Sequence, residues 1–337
     1  MGIKIGFPRA LFYYLYYPFW YTFFTGLGFE VVLSQPTNKY ILDLGVQEAV
    51  NDACLPIKIY HGHVAELKDK VDVLFLPRMV SVRKLEAETF CPKFLGLPDM
   101  VRHSIDGLPP IIDEKVHLAK GLFPLWELCR KVARRLDKSG CKVWYAYLKA
   151  NKVQRRYIKN LSRGILPQES FESAVAGLHA PPQPVLASDV HLAILGYPYL
   201  IYDFFVNVGL LEKLAQMGIK PWTVEMVPPR RLEAQGRNLS KSLFWHFSNR
   251  TVCAALYYLK EQKVDGIVHV TAFGCGPDAM VGKLMELEAK NTGRVPFLTL
   301  SLDEHTGEAG VLTRIEAFVD MLRLRRAQDE NIISNNG

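Results

Sequence analysis

The chain has 337 residues, of which 49% are hydrophobic and 22% charged, with six cysteines and a formal net charge of +7. That length suits two domains of ordinary size, and the balance of apolar and charged residues is that of a globular protein. The absence of a CxxC pair and of a GxxxxGK[ST] phosphate loop excludes zinc-ribbon and ferredoxin-type cluster motifs and argues against a P-loop ATPase.

The first 110 residues predict alternating strands and helices. From Ala10 to Gly26 the chain is rich in tyrosine and phenylalanine, but Pro18 interrupts it and no run of 18 apolar residues occurs. This predicts a buried helix rather than a membrane anchor, and we expect a cytoplasmic protein without disulfides. The elements predicted in this part are a strand at 3–7, a helix ending near Phe24, a strand at 30–33, helices at 43–51 and 57–67, and a strand at 71–76.

Residues 111–185 predict a different, basic and helical domain followed by a proline-rich linker. Its helical pattern runs from Lys115 to Leu161. Twelve lysines and arginines but only one acid, Asp137, lie between Arg130 and Arg163, which gives this segment a charge of +11 and leaves the rest near −4. The segment is either a solvated helix face or a docking surface for an acidic partner or for CoA phosphates. Nucleic acid is not expected, because no nucleic-acid-binding motif accompanies the charge.

Residues 186–337 return to strand–helix alternation. The predicted elements are strands at 191–195, 222–226, 266–270 and 295–300, helices ending at Met217 and spanning 243–261, a helix after Cys275, and a terminal helix from Gly310 to about Arg326. Such alternation indicates doubly wound parallel sheets. We therefore predict an α/β protein with two Rossmann-like domains, 1–110 and 186–337, separated by the helical insertion 111–185.

The two outer segments share a repeated pattern that predicts a duplication. VDVLFLP is followed by Cys91, and VDGIVHV by Cys275, so a cysteine follows a buried strand in each half. The opening of the chain at Lys4-Ile-Gly-Phe-Pro is likewise similar to Ile194-Leu-Gly-Tyr-Pro. Because ligands of open α/β sheets gather at the carboxyl ends of the strands, we expect a site shared by the two halves.

Three cysteines lie in loops that precede helices and are the candidate metal ligands. Cys275 stands between two glycines that allow a bulky ligand to approach, and Pro277 suits the first turn of a helix. Helix N-termini stabilise thiolates, and Cys54 and Cys91 have similar settings. We expect Cys54, Cys91 and Cys275 to bind a metal or a cluster, with a buried structural cysteine as the alternative for each and a reactive thiol as a further alternative for Cys275. No role is assigned to the other three cysteines, which we expect to be ordinary core or surface thiols. They are Cys129, Cys141 and Cys253.

A few other polar residues are candidates for substrate binding or for hydrogen bonds to the cluster ligands. Arg9, after the first strand, binds an anion or caps a neighbouring helix. Asp303 and His305 follow the last strand and reach the site or form a capping loop. His61, with His63 close by, supports the Cys54 loop or lies on the surface.

The chain resembles the cluster-bearing subunits of 2-hydroxyacyl-CoA dehydratases, and within them the acyl-CoA dehydratase activase-related branch of unknown function. The residues that carry the resemblance are Lys4-Ile-Gly-Phe-Pro-Arg-Ala-Leu, Ala53-Cys-Leu-Pro, Phe90-Cys-Pro-Lys-Phe-Leu-Gly-Leu-Pro-Asp, Phe273-Gly-Cys-Gly-Pro-Asp, Asp303-Glu-His-Thr-Gly-Glu-Ala-Gly and Thr313-Arg-Ile-Glu-Ala-Phe.

The resemblance implies an anaerobic iron–sulfur redox subunit that holds a [4Fe–4S] cluster with one open iron on Cys54, Cys91 and Cys275. It also implies a homologous second subunit or a homodimer, an actin-like ATPase activator with its own cluster, and an acyl-CoA thioester as substrate. Such a protein would act as a dehydratase or reductase component. The alternatives are a non-catalytic electron-transfer or scaffold partner, a double-cubane reductase of small molecules, and a metal-free CoA- or nucleotide-binding protein.

Overall fold

The computed structural model describes residues 2–82, 88–119, 123–178, 189–239, 243–292 and 295–335. Contacts divide the chain into two units. Unit 1 comprises Met1–Pro182 and Leu243–Asn249, and unit 2 comprises Gln183–Ser242 and Arg250–Gly337. The predicted linker at 180–184 lies outside the described residues.

Unit 1 is built on a parallel sheet. Its strands are β1 (Lys4–Phe7), β2 (Glu30–Leu33), β3 (Val73–Phe75), β4 (Arg78–Ser81), β5 (Ile111–Ile112) and β6 (Lys115–His117). Four of them form one sheet in the order β2-β1-β3-β5, and β4 pairs with β6 in a second sheet. Every pair is parallel. The chain therefore adds strands first on one side of β1 and then on the other, as in doubly wound folds.

Helices cover this sheet, and two further helices contain most of residues 130–163, which we call the basic segment. They are α1 (Tyr13–Leu27), α2 (Lys39–Glu48), α3 (Leu55–Leu67), α4 (Pro92–Ser104), α5 (Phe123–Arg135), α6 (Cys141–Leu161) and α7 (Pro167–Ala176). The predicted helix from Lys115 starts too early, because Lys115–His117 is strand β6 and pairs with β4. A second break comes at Asp137, whose φ of 54° ends α5, and the chain turns again at Gly140 before α6.

The aromatic helix α1 is buried, as its sequence predicts. Ten of its fifteen residues are buried, and the Trp20 ring lies 4.5 Å from Phe75 of β3. Gly28 ends the helix in the left-handed conformation with φ of 90°. Within the part of the chain that the structure describes, no helix has the length and apolar character needed to cross a bilayer.

Helix α6 supplies the hydrogen bonds that Pro18 removes from α1. A proline inside a helix has no N–H to donate to the carbonyl four residues earlier, which here is that of Tyr14. The Tyr157 hydroxyl donates to this carbonyl. Gln154 accepts a hydrogen bond from the Phe19 N–H at 3.2 Å and donates to the Leu15 carbonyl at 2.7 Å. The basic segment is thus joined to the core of unit 1 through the interruption in α1.

Unit 2 also contains a parallel sheet. Its strands are β7 (Leu192–Gly196), β8 (Gly266–Ala272) and β9 (Phe297–Leu302), and its helices are α8 (Pro198–Ile201), α9 (Leu210–Gln216), α10 (Pro229–Asn238), α11 (His246–Glu261, which begins in unit 1), α12 (Gly276–Thr292) and α13 (Glu308–Asn335). The strand order is β7-β8-β9, all parallel. All seven residues of β8 are buried, as expected of a central strand.

The predicted strand at 222–226 is wrong in its extent. Only Trp222 pairs with the sheet, through a parallel bridge to Ala193, and Val224–Met226 forms a 3₁₀ turn. Pro221 precedes this short contact and Pro228 follows the turn. Because proline has no N–H to donate, the backbone on either side cannot extend a strand ladder.

Two glycines let α2 and α3 approach each other closely. A Cβ atom at Gly45 would overlap the Lys58 carbonyl, and one at Gly62 would overlap the Ile41 carbonyl. Since both obstructing groups are backbone atoms of a neighbouring helix, no rotamer change can make room for a methyl group.

We predict that Gly62→Ala destabilises the protein by about 2 kcal/mol or more, because the two helices must separate. The midpoint of urea unfolding measures this loss. Gly96→Ala in α4 is the matched control, since nothing lies within 4 Å of its added Cβ. Its better helix propensity should leave stability unchanged or raise it by up to about 1 kcal/mol. Equal midpoints for both variants would contradict the close packing.

Candidate metal centre

Cys54 and Cys91 occupy the same position at the starts of two helices of unit 1. Cys54 is the N-cap of α3 and Cys91 the N-cap of α4, with φ and ψ of −66° and 153° and of −63° and 156°. A proline occupies one of the first two positions of each helix: Pro56 is second in α3 and Pro92 is first in α4. Proline suits this position because the first N–H groups of a helix have no partner within it. The remaining free N–H groups are available to a ligand or a thiolate.

The structure brings these two cysteines together. The Lys93 ammonium donates to the Asp52 carbonyl at 3.1 Å, which joins the start of α4 to the loop before Cys54. The Lys93 charge acts to lower the pKa of Cys54, and the neighbouring Cys91 acts to raise it. Both thiols are partly buried, and each precedes a helix of 13 residues.

Burial is the main influence on the acidity of both thiols. Desolvation raises the pKa of Cys54, while the Lys93 charge and the Ile57 N–H partly offset it. Desolvation also raises the pKa of Cys91, against the N–H groups of Phe94 and Lys93. The protonated thiol is therefore favoured when no metal is bound. Metal ligation must remove these protons, and the N–H donors and Lys93 are placed to stabilise the resulting thiolates.

The approach to Cys91 is held by the segment 243–249 of unit 1. The Thr89 N–H donates to the Phe244 carbonyl at 2.6 Å, and the His246 N–H donates to the Thr89 carbonyl at 2.8 Å. His246 Nδ1 lies 3.2 Å from Glu88 Oε1, and both side chains are buried. Phe90 packs against both His246 and Phe247 with ring centroids 5.3 Å apart. Sequence reasoning missed this support because its two parts are about 150 residues apart.

Cys275 has a corresponding local setting in unit 2. Its carbonyl accepts from the Ala279 N–H at 3.0 Å, so Cys275 begins α12 as an N-cap, and Pro277 stands in the first turn. Gly274 has φ of 74°, and among the described residues no atom beyond its chain neighbours lies within 4 Å of its ideal Cβ position, so the loop leaves open space beside the cysteine. The sequence predicts that the flanking glycines allow a bulky ligand to approach, and this open space is consistent with that role.

A buried acid–histidine pair anchors the start of α12. Asp278 Oδ1 lies 3.2 Å from His269 Nε2, and neither residue is exposed to solvent. A Cβ atom at Gly282 would lie 2.8 Å from the His269 ring, so glycine is needed where the ring sits. The sequence shows an acid in the first turn of α12, but only the structure shows its partner on β8.

The other candidate residues have mixed outcomes. His61 and His63 are 1% and 0% exposed, so the alternative of surface histidines is wrong. The His61 Nδ1 bonds to the Ile57 carbonyl at 2.8 Å within α3. Asp303 accepts from the His305 N–H and from the Thr306 hydroxyl, so it caps its own loop, and His305 is exposed. The Thr306 hydrogen bond is the main reason that the pKa of Asp303 is lowered.

Arg9 lies where the sequence predicts, just beyond the carboxyl end of β1. Its backbone N–H donates to the Ser34 hydroxyl at 2.8 Å, and its guanidinium lies 5.7 Å from the centre of the Tyr13 ring.

The remaining cysteines lie away from such loops. Cys129 is buried in α5, where desolvation raises its pKa, and Cys253 is buried in α11. Cys141 is exposed at the start of α6. Among the residues that the structure describes, no three or more histidine, cysteine or acidic side chains stand together in a group that could hold a metal ion.

Two family models match this chain. Residues 4–227 match the family described as CoA enzyme activase uncharacterised domain, and residues 239–322 match the 2-hydroxyglutaryl-CoA dehydratase D-component. The chain belongs to the first of these families, and the two matches together make it a 2-hydroxyacyl-CoA dehydratase-like subunit related to activase-like proteins.

Comparisons with individual proteins add nothing to this assignment. No curated protein matches the chain. A sugar transporter from Clostridium phytofermentans is similar over 89% of this chain and 81% of its own, with 10% identity and a TM-score of 0.19. That similarity is too low to carry an argument about fold or function.

The buried imidazole of His63 predicts a specific pH dependence of stability. Burial, with a smaller effect from Arg9, lowers its pKa from 6.5 to about 3. Between these values the unfolded chain binds a proton that the folded chain does not, so this contribution to stability is lost as the pH falls below about 6.5. In the wild type this effect lowers the free energy of unfolding by about 2 kcal/mol between pH 7 and pH 5. The His63→Gln variant should lack this loss.

Urea unfolding at several pH values measures this difference. The control is His117→Gln, because His117 is exposed and should leave the pH dependence as it is in the wild type. Parallel stability–pH curves for the wild type and His63→Gln would refute the assignment.

Proposed function

We propose that Cys54, Cys91 and Cys275 together hold one [4Fe–4S] cluster, and that the chain is the redox subunit of a 2-hydroxyacyl-CoA dehydratase-like enzyme. The observation that supports this best is the shared setting of the three cysteines. Each begins a helix with a proline in its first turn, and Cys54 and Cys91 are neighbours. When bound, such a cluster supplies low-potential electrons and an open iron for a substrate oxygen.

The residues of the chain prepare the thiolates for this role. Backbone N–H groups near the starts of α3 and α4 act to lower the pKa of the Cys54 and Cys91 thiols, and Lys93 adds a positive charge. Rigid supports hold the loops, namely the Glu88–His246 pair near Cys91 and the Asp278–His269 pair beside Cys275. Because each pair is buried, movement of either loop would leave polar groups unpaired.

We also propose that 1–110 and 186–337 arose by duplication and that 111–185 was inserted between them. Asp72, just before β3, accepts from the Lys4 N–H at 2.7 Å and donates its own N–H to the Lys4 carbonyl. Asp265, just before β8, makes the same two bonds with His191, also at 2.7 Å. In each sheet the strand that follows this aspartate, β3 or β8, lies beside the first strand of its half, although in the first half the further strand β4 comes between β3 and Cys91. An aspartate at the equivalent position of each half, Asp72 or Asp265, therefore makes the same contacts with the start of the first strand.

If the three cysteines hold a cluster, replacing any of them removes a ligand. We predict that Cys54→Ser, Cys91→Ser and Cys275→Ser each lose most of the iron and sulfide that anaerobically purified wild-type protein contains in equal amounts. Iron and sulfide analysis, with EPR of the reduced protein, measures this. Cys141→Ser is the control, because this exposed thiol at the start of α6 should not affect the cluster. Wild-type iron content in all three variants would exclude the proposal.

The basic segment is proposed as the docking surface for the ATPase activator. Several of its cations have partners within unit 1: Arg135 pairs with Glu114 at 2.9 Å, and Lys138 lies over the Phe29 ring. Six of the twelve cations lie on α6. Four of these line an open groove of about 640 Å³ together with apolar and aromatic side chains; its lining is Trp144, Tyr147, Leu148, Asn151, Lys152, Arg155, Arg156 and Lys159.

The extent of this surface favours a protein over a CoA ester. Lysines and arginines follow α6 from Lys142 to Lys159, which is about 25 Å along a helix axis. Tyr145 and Ile158 are 71% and 51% exposed on the same helix. A long basic surface with exposed apolar side chains suits an acidic protein partner, whose approach it would accelerate. The proposed assembly also contains a homologous second subunit or a second copy of this chain.

Charge reversal tests the docking surface. We expect the triple variant Lys152→Glu, Arg155→Glu, Lys159→Glu to slow association with a purified dehydratase-type activator by about tenfold or more and to flatten its salt dependence. Stopped-flow mixing at several salt concentrations measures both.

The control for this experiment changes the net charge equally at another place. Arg230, Arg231 and Arg237 are exposed on α10, and their replacement by glutamate should slow association much less. Equal slowing by both triple variants would refute a local docking surface. Loss of CoA-ester binding instead of activator binding would reassign the groove to CoA.

A further inference from the structure

Arg9 is a partly buried cation without an acidic partner. Among the described residues, no carboxylate forms an ion pair with its guanidinium, and its Nε atom is buried without a hydrogen-bond partner. Most other arginines near the sheet of unit 1 are paired, as Arg78 is with Asp99 and Arg102 with Asp113. A charge that is partly removed from water and left unpaired destabilises the fold unless an anion from outside the chain occupies the site.

The side chains known to lie near the Arg9 guanidinium are those of two tyrosines and a histidine. Its guanidinium lies over the Tyr13 ring and close enough to Tyr17 and His63 to influence the pKa of each. His63 is completely buried, its Nε2 lies 3.1 Å from the Thr37 hydroxyl, and its Nδ1 has no partner. If the Thr37 hydroxyl donates to Nε2, the neutral imidazole carries its proton on Nδ1 and can donate it to a bound group.

The position in the fold is one where ligands bind. Arg9 lies two residues beyond the end of β1, and β1 is the strand from which the chain proceeds first to β2 and then to β3 on the other side. In open α/β sheets this change of direction creates a crevice at the carboxyl ends of the strands, where ligands are usually held.

We propose that Arg9 and His63 form a binding site for a small oxyanion, a carboxylate or a phosphate group. The guanidinium supplies charge and paired N–H donors, which match the geometry of both groups. The neutral imidazole adds one hydrogen bond without adding charge. This site lies wholly within unit 1 and is distinct from the proposed cysteine ligands.

The test uses the full chain without a cluster, so its result does not depend on the proposed redox function. Calorimetric titration at constant ionic strength compares two probes, lactate for the carboxylate and inorganic phosphate. We expect at least one to bind with a dissociation constant in the millimolar range. The probe that binds more tightly shows whether the site prefers a carboxylate or a phosphate group. Arg9→Gln should weaken binding by about tenfold or more, and His63→Gln by a smaller factor.

Two further variants make the result decisive. Arg9→Lys keeps the charge but loses the paired donors, so it should bind more weakly than the wild type and more tightly than Arg9→Gln. Arg231→Gln removes an exposed charge on α10 and should bind like the wild type. If Arg9→Gln does not fold, Arg9→Lys and His63→Gln carry the comparison. No binding of either probe to the wild type up to about 50 mM, or equal binding by all variants, would overturn the proposal.

Discussion

The hydrogen bonds between α6 and α1 are the interaction on which the rest of unit 1 depends. Pro18 removes an N–H from the middle of a buried aromatic helix, and the Tyr14 carbonyl would otherwise be unpaired in the core. Tyr157 satisfies this carbonyl, and Gln154 bridges the Leu15 carbonyl and the Phe19 N–H beside it. The opposite face of α1 packs on β3 through Trp20 and Phe24. The basic segment is therefore part of the structural core, even though most of its charges face solvent.

The parallel sheets explain why the three cysteines have the same setting. A helix that returns the chain between parallel strands begins at the carboxyl edge of the sheet, so its free N–H groups gather there. A cysteine at the N-cap then lies beside those donors, and a proline in the first turn starts the helix without losing a needed hydrogen bond. Lys93 brings the two starts in unit 1 together by reaching the Asp52 carbonyl. The fold thus places backbone N–H groups beside each cysteine, which would support the proposed thiolate ligation.

Buried polar groups mark where the chain gives up stability for a specific arrangement. Glu88 with His246, and Asp278 with His269, form two such pairs that are held out of water. Such pairs add little net stability, but removing one member leaves the other unpaired, so they fix the loops beside them. Arg9 with His63 differs because the described residues supply no negative charge to complete the group.

The sequence by itself determined the α/β class, most strands and helices, and the three cysteine loops, because these depend on local apolar patterns, glycine and proline. Its errors lie where local pattern and pairing disagree: Lys115–His117 is a strand because β4 is beside it, and residues 222–226 do not form a strand because prolines flank them. His61 and His63 have a polar appearance in sequence, yet both are buried on α3, which packs closely against α2 at Gly45 and Gly62. Only the tertiary structure could decide the contacts of His246 with Glu88, of His269 with Asp278 and of the Arg9 backbone with Ser34, because they join residues that no local pattern relates.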